Sequence, residues 1–578
     1  MDLKNIVVKE YLESLTEKNE LNYIFPILLE SMGYTILSKP TEYIGIQEYG
    51  KDIVAIGVDE DGIKKRFYFE LKGGADRNIS EHNFYGKDGI QDSLTQARYN
   101  DFVSAFPKFD KLPLKIVIVH NGTIKGTVQS TLENFFVKNT INTISFDRWD
   151  ISRLTLLFSK NLFGAYLLTD PASTKLFNRV LVNLNATDGI SNDFIALIDL
   201  IFSKETWKKS KNLARKWQLL FESVRLIAFI IYTESKEYNN YEIAKRYLTH
   251  LLLKYWHWIL KNKLEEDDIV LGYFNQYVVL YFKVLVEFFG RTAPLALLKD
   301  GLYSENGGRY EQIGYAKRSF EFIEYFTVLL RLVHFDPKYI NHHEAHQQIV
   351  KVILANDVSF RPILDIHSVA VLNVINLLID CNKIDDAKSY LSRVLNQIKY
   401  AKEKTDFLPD ANNSIENVIK FNVTGIKPVY YSDSTSPLLA VLMEYIALFD
   451  MEEEYNIMKE FILKHDIDLG VFVPHHGINS VSLDLRSDKE NDLEEQLFSK
   501  SFRDGYQSEL RLTKMLNDEL DFQSFKEKLL KRKKEFEYHY RTDKAGYPFL
   551  RELAHIYFKT PYFPDKWRNI NLECNLTT

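Results

Sequence analysis

Two apolar segments near the N-terminus constrain the fold most: Gly50-Lys51-Asp52-Ile53-Val54-Ala55 and Phe67-Tyr68-Phe69-Glu70-Leu71-Lys72-Gly73-Gly74. Their β-branched and aromatic content predicts strands. Between them, Asp59-Glu60-Asp61-Gly62 supplies an Asp-Gly turn, in which Gly accepts positive φ. Side chains in a strand alternate faces, so Phe67, Phe69 and Leu71 share one side and Tyr68, Glu70 and Lys72 the other. Glu70 and Lys72 then stand about 7 Å apart along the strand. A hairpin brings Asp52 near Glu70 or Lys72, depending on register. Glu-x-Lys is common on surface hairpins, but here both faces of the strands are apolar, as in a sheet covered from two sides. Charged groups in such a setting are costly to bury unless they are paired or used.

Two carboxylates meeting at one point repel unless a cation joins them. Mg²⁺ (or Mn²⁺) is held by few protein carboxylates and keeps several waters, so Asp52, Glu70 and one main-chain carbonyl, that of Leu71, suffice. Lys72 then orients or helps deprotonate a water, or stabilises charge on a phosphate. This chemistry points to metal-dependent phosphodiester cleavage.

The neighbouring elements fit an α/β sandwich around one mixed sheet. Leu21, Ile24, Phe25, Leu28, Leu29 and Met32 form a helical stripe that Gly33 ends. Tyr34 to Leu37 predicts a short strand, and the two site strands follow. The pattern predicts a helix from Asp88 to about Phe106, and a strand over Leu114 to His120 closed by Asn121-Gly122. It then predicts a helix from Thr127 to Val137, a strand from Ile141 to Phe146, and a short helix from Asp147.

On Gly50-x-Asp52-Ile53, Glu70-x-Lys72, Met32-Gly33-Tyr34 and Phe146-Asp147-x-Trp149-Asp150, residues 19 to 160 resemble the PD-(D/E)XK, or restriction-endonuclease-like, nucleases. The resemblance is to the Mrr-like branch of bacterial defence proteins. It implies Asp52 and Glu70 as metal ligands and Lys72 as the catalytic lysine. It also implies a supporting Gln on the next helix, either Gln91 or Gln96, with Gln96-Ala97-Arg98-Tyr99 the closer likeness. Lys51 stands where the namesake motif has Pro. Many relatives carry a supporting Glu on the first helix. That slot holds Asn22 by its spacing from Gly33, with Glu20 two residues earlier. The resemblance further implies DNA over RNA as substrate and a prokaryotic anti-phage or restriction role. Asn22 in the acidic slot favours the alternative of an inactive nuclease-fold scaffold. An RNase would share the same residues.

The length of 578 residues predicts about two to four domains. We divide the chain into 1–165 (nuclease-like), 166–403 (helical), 404–437 (loop or boundary) and 438–578 (helical). Beyond about residue 165, long patterns rich in Leu, Ile, Tyr and Phe predict a large all-α helical array without a fixed repeat. Examples are 217–232, 241–262, 268–289, 319–333, 368–379 and 384–402. The array is expected to serve regulation, sensing or binding of a protein partner or a second copy. Two cysteines, Cys381 and Cys574, suit a reducing cytoplasm. The opening MDLKNIVVKEYLESL is charged and amphipathic, unlike a signal peptide. The most apolar stretch, 269–289, is interrupted by Asn275, Gln276, Lys283 and Glu287, which predicts a buried helix and no membrane span.

A net charge of −6 does not advertise a nucleic-acid binder, although binding follows local patches. Lys208, Lys209, Lys211 and Arg215, with Trp207 among them, form one candidate phosphate-tracking patch. A solvated helix face is the preferred reading of it. His342-His343-Glu344-Ala345-His346 misses the zincin spacing, since position 347 is Gln. His465, Asp466, Asp468, His475 and His476 are read as turn and surface residues.

Overall fold

A computed structural model describes residues 3–39, 50–87, 89–186, 189–204, 213–332, 342–469, 521–535 and 541–559. The chain divides into two compact units, Met1–Val284 and Leu285–Thr578.

The first unit begins with helix α1 (Leu3–Ser14), a π-helical turn (Glu17–Leu21) and α2 (Asn22–Ser31). Pro26 lies inside α2 and cannot donate to the carbonyl one turn earlier, so the first turn of α2 is only loosely tied to the rest. Strands β1 (Thr35–Ser38), β2 (Ile53–Val58) and β3 (Lys64–Lys72) follow, then α3 (Glu81–Tyr85), α4 (Ile90–Tyr99) and β4 (Leu114–His120). Helix α5 (Gly126–Asn139), β5 (Ile144–Trp149) and α6 (Ile151–Asn161) complete the pattern. The five strands form one sheet in sequence order. The β1–β2 and β2–β3 pairs are antiparallel, and β3–β4 and β4–β5 are parallel. The expected mixed sheet within an α/β N-terminal region is therefore present.

Both faces of this sheet are covered. Val54, Tyr68, Ile116 and Ile118 pack with Ile90, Leu94, Ala97, Val128 and Leu132 from α4 and α5. On the opposite face, Phe69 meets Phe25 of α2 and Trp149 at ring distances of 5.3 and 5.5 Å. Gly50 has φ +72°, and a Cβ there would stand 2.0 Å from the Ser93 carbonyl oxygen, so β2 can start flush against α4 only with glycine.

Helix α4 ends at Tyr99, short of the expected Phe106. Asn100 is extended, and its amide Nδ2 donates to the Gln96 carbonyl at 2.9 Å, which satisfies the helix end locally. Likewise α6 starts at Ile151, not at Asp147. Asp150 caps it, accepting the Ser152 and Arg153 N–H groups at 3.1 Å.

Helices α7 (Pro171–Val182), α8 (Asn192–Ser203), α9 (Leu213–Glu237) and α10 (Tyr241–Lys261) follow. Helix α1 packs on both α6 and α9. Tyr11 of α1 donates a buried hydrogen bond to the Leu167 carbonyl at 2.6 Å. Arg225 of α9 pairs with Glu10 of α1. Helix α11 (Asp268–Ala296) is long and apolar enough to cross a membrane, the only such helix among the described residues, yet half of its most apolar window is buried within the fold. Phe274 and Tyr277 of α11 pack against Tyr255 of α10 at 5.1 and 6.0 Å.

The second unit is helical among its described residues. It contains α12 (Glu311–Leu332), α13 (His342–Ala355), α14 (Ser368–Asp380), α15 (Ile384–Thr405) and α16 (Ile415–Thr424). Then come α17 (Pro437–Leu448), α18 (Glu452–Lys464), α19 (Phe522–Glu535), α20 (Arg541–Lys544) and α21 (Phe549–Phe558). Helix α16 falls inside 404–437. Buried Asp365 accepts the Ser436 hydroxyl and the Leu438 N–H, which fixes the start of α17. Buried Arg331 and Glu552 pair at 2.5 Å and tie α12 to α21. His346 Nε2 lies 2.6 Å from Asp386 Oδ2, and Cys381 is a free thiol. Among the earlier expectations, His475, His476 and Cys574 lie outside the described residues.

Candidate active site

The β2–β3 register decides whether the acids meet. Ile53 pairs with Phe69 and Val54 with Tyr68, so one further step sets Asp52 opposite Glu70. Asp52, Glu70 and Lys72 then share the face that α4 covers. Asp52 caps the strand end: its N–H donates to the Phe69 carbonyl at 2.9 Å, and its Oδ2 accepts the Leu71 N–H at 2.6 Å. Lys72 Nζ donates to Glu70 Oε1 at 2.7 Å. Of the two neighbours that the hairpin left open for Asp52, the register sets it opposite Glu70, and Lys72 bonds to Glu70 in turn.

Electrostatics make this a strained cluster. Burial, then the nearby Glu70 carboxylate, push the Asp52 carboxyl well above the usual range, against the opposing Leu71 N–H and Lys72. Burial alone would lower Lys72, but Glu70, Glu17 and Asp52 together hold its ammonium above the ordinary lysine value. Lys72 therefore stays charged across the neutral range.

Glu17 is the residue that sequence reasoning missed. It sits on the π-helical turn, accepts the Gly73 N–H, and faces Glu70 and Lys72. Burial raises its carboxyl first, and Lys72 opposes the rise. The signal lay in Gly73-Gly74. A Cβ on Gly73 would stand 2.7 Å from the Glu17 main-chain nitrogen, so the turn can rest on the end of β3 only with glycine there. The two positions weighed for outer support lie elsewhere. Glu20 Oε2 accepts the Thr16 N–H at 2.5 Å and the Thr16 hydroxyl at 2.8 Å, closing its own turn. Asn22 keeps a buried Oδ1 without a hydrogen-bond partner.

Gln91 is half-buried on the first turn of α4, the turn that packs on Gly50. Gln96 is exposed one and a half turns later. Lys51 reaches the Asn100 carbonyl at 2.8 Å and lies 5.3 Å from the Tyr68 ring, and burial lowers it to about 8. Of the proposed phosphate-tracking patch, Lys208, Lys209 and Lys211 lie outside the described residues. Arg215 falls on α9, with its side chain outside them.

The donor set of Asp52, Glu70 and the Leu71 carbonyl is all oxygen, the chemistry that suits Mg²⁺ or Mn²⁺. A divalent cation would also relieve the Asp52–Glu70 repulsion. Among the described residues no three His, Cys, Asp or Glu side chains are grouped to hold a metal ion, so the fit rests on two acids and a carbonyl. Compared with family models, curated proteins and solved structures, the chain finds no match in any of the three.

Proposed function

We propose that the N-terminal α/β region is a metal-dependent endonuclease of the PD-(D/E)XK kind, acting on DNA in the cytoplasm as part of a prokaryotic anti-phage or restriction-type defence system. The observation that carries this reading is Asp52 set opposite Glu70, with Lys72 bonded to Glu70, at the end of two central strands in a mixed sheet. Asp52, Glu70 and the Leu71 carbonyl are the groups that would hold the cation. When bound, it supplies a Lewis acid to a phosphoryl oxygen. Lys72 donates a hydrogen bond to Glu70 and would act beside it. It orients the attacking water and offsets charge building on the phosphate. Glu17 adds a second acid whose charge holds the Lys72 ammonium. The helical remainder regulates the nuclease, through a protein partner or a second copy.

Cleavage of plasmid DNA with Mg²⁺ or Mn²⁺ tests this. Asp52→Ala, Glu70→Ala and Lys72→Ala should each lower the rate about 10²-fold or more. Cutting that survives all three changes refutes the assignment. An RNA substrate cut in place of DNA, with the same residue dependence, moves the reading to an RNase. The absence of a three-acid group among the described residues favours a second reading, a nuclease-like scaffold without activity. That reading predicts no cutting of either polymer and no stabilisation by Mg²⁺.

A further inference from the structure

The loop that leaves α4 is tied to the site's strands at three successive residues. Lys51 Nζ donates to the Asn100 carbonyl at 2.8 Å. Arg66 Nη1 donates to Asp101 Oδ1 at 3.1 Å. The Phe102 N–H donates to the buried Tyr68 hydroxyl at 3.0 Å. These tethers belong to the site's own framework. Lys51 precedes Asp52, and Arg66, Tyr68 and Glu70 share one face of β3. Phe102 turns inward onto Phe109, with ring centroids 6.1 Å apart.

At the end of α4 and on this loop, two apolar side chains stand in the open. Tyr99 is 72% exposed and Val103 is 94% exposed. Arg98 lies 5.2 Å from the Tyr99 ring, placing a cation beside its face. The nearest acid of the loop, Asp101, is already paired with Arg66. Arg98 Nη1 also donates to Asn139 Oδ1 at 2.5 Å, which holds the guanidinium in place. An exposed aromatic face flanked by a guanidinium at a helix end is the chemistry that stacks unpaired bases. A base in an intact duplex offers only its edge. Tyr68 and Glu70 are about 7 Å apart along β3.

We propose that Tyr99 and Val103 form a base-stacking rim that fits the site to single-stranded DNA, at a fork or frayed end, in preference to intact duplex. This proposal rests on the nuclease reading and specifies its substrate.

Binding is measured with the full-length protein and EDTA, so that cutting plays no part. The probe is a single strand of about 12 nucleotides carrying 2-aminopurine at each position in turn, alongside the same sequence as duplex. The single strand should bind more tightly, with fluorescence quenched at one or two adjacent positions. Tyr99→Ala should weaken single-strand binding about 5- to 150-fold and remove the quenching, while Tyr99→Phe retains both. Val103→Ser should reduce the preference over duplex. Both side chains are exposed, so the variants keep the fold. Unchanged affinity and quenching in Tyr99→Ala, or a wild type that binds duplex equally well or fails to bind the single strand, overturns the rim. Cleavage by Asp52→Ala is scored separately. Cutting lost there, with binding unaltered in Tyr99→Ala, removes the rim and leaves the nuclease. Tyr99-dependent binding by a chain that cuts nothing removes the nuclease and leaves the rim.

Discussion

Asp52→Asn should make the protein more stable while it abolishes cleavage. In the wild type Asp52 Oδ2 accepts the Leu71 N–H, and the rest of the carboxylate faces Glu70 with burial on every side. Asparagine keeps an oxygen for Leu71 and turns its amide toward Glu70 as a donor. A repulsion becomes a hydrogen bond to a charged group, worth about 1.5–3 kcal/mol. Asp52→Ala also removes the repulsion but leaves the Leu71 N–H unpaired, a loss of about 1–3 kcal/mol, so its net change should be near zero. The sign with pH follows from the raised Asp52 carboxyl. Its ionisation in the folded state weakens the wild type above its own raised value. As pH falls through that value toward the ordinary carboxylate range near about 4, the wild type regains stability. The gap between Asp52→Asn and wild type should therefore be widest above that raised value and close on acidification toward the ordinary carboxylate range. Hydrogen exchange of the β2 and β3 amides reads this locally, and urea unfolding reads it for the whole unit. Mg²⁺ should protect these amides in the wild type and not in Asp52→Asn. Equal or faster exchange in Asp52→Asn above the raised Asp52 value, or a gap that widens in acid, refutes the electrostatic account.

Two further substitutions test how the site is held. Gly50→Ala meets the Ser93 carbonyl and a left-handed backbone at once, so it should cost about 2 kcal/mol or more and lower the thermal midpoint. A variant as stable as wild type would mean that α4 does not set the start of β2. Glu17→Gln keeps an acceptor for Gly73 but loses a charge beside Lys72, so Lys72 should titrate lower by NMR and cleavage should fall about tenfold or more. An unmoved Lys72 resonance would take Glu17 out of the site.

The parts of the site legible in the sequence are those fixed by short-range rules. Alternation along 67–72 assigns faces, the Asp-Gly turn assigns a hairpin, and together they leave Asp52 near Glu70 or Lys72. The five strands could be found because each apolar run ends at a polar or glycine break. Glu17 was not legible, because no local pattern marks it. Its place depends on a π-helical turn lying against Gly73, more than fifty residues later in the chain. The two glutamines separate only once the buried stripe of α4 is known. Ile90, Leu94 and Ala97 turn inward, which leaves Gln91 at the edge of that stripe and Gln96 outside it. At the early end of α4 the Asn100 backbone turns extended, and both its N–H and its side-chain amide donate to the Gln96 carbonyl.

Helix α1 is completed by residues far from it in sequence. Glu17 just beyond it needs Gly73, Tyr11 needs the Leu167 carbonyl, and Glu10 needs Arg225 of α9. A fragment cut near residue 165 keeps every strand of the sheet but loses the Tyr11 acceptor and the surface that α9 lays over α1. Val7 and Val8 are buried in the whole chain, so such a cut takes away part of what α1 packs against. Of the three carboxylates at the site, Glu17 would then be the one least firmly seated. Removing the helices is thus a structural operation on the acid cluster itself, and a change in cutting by such a fragment would report the loosening of Glu17 together with any release from control.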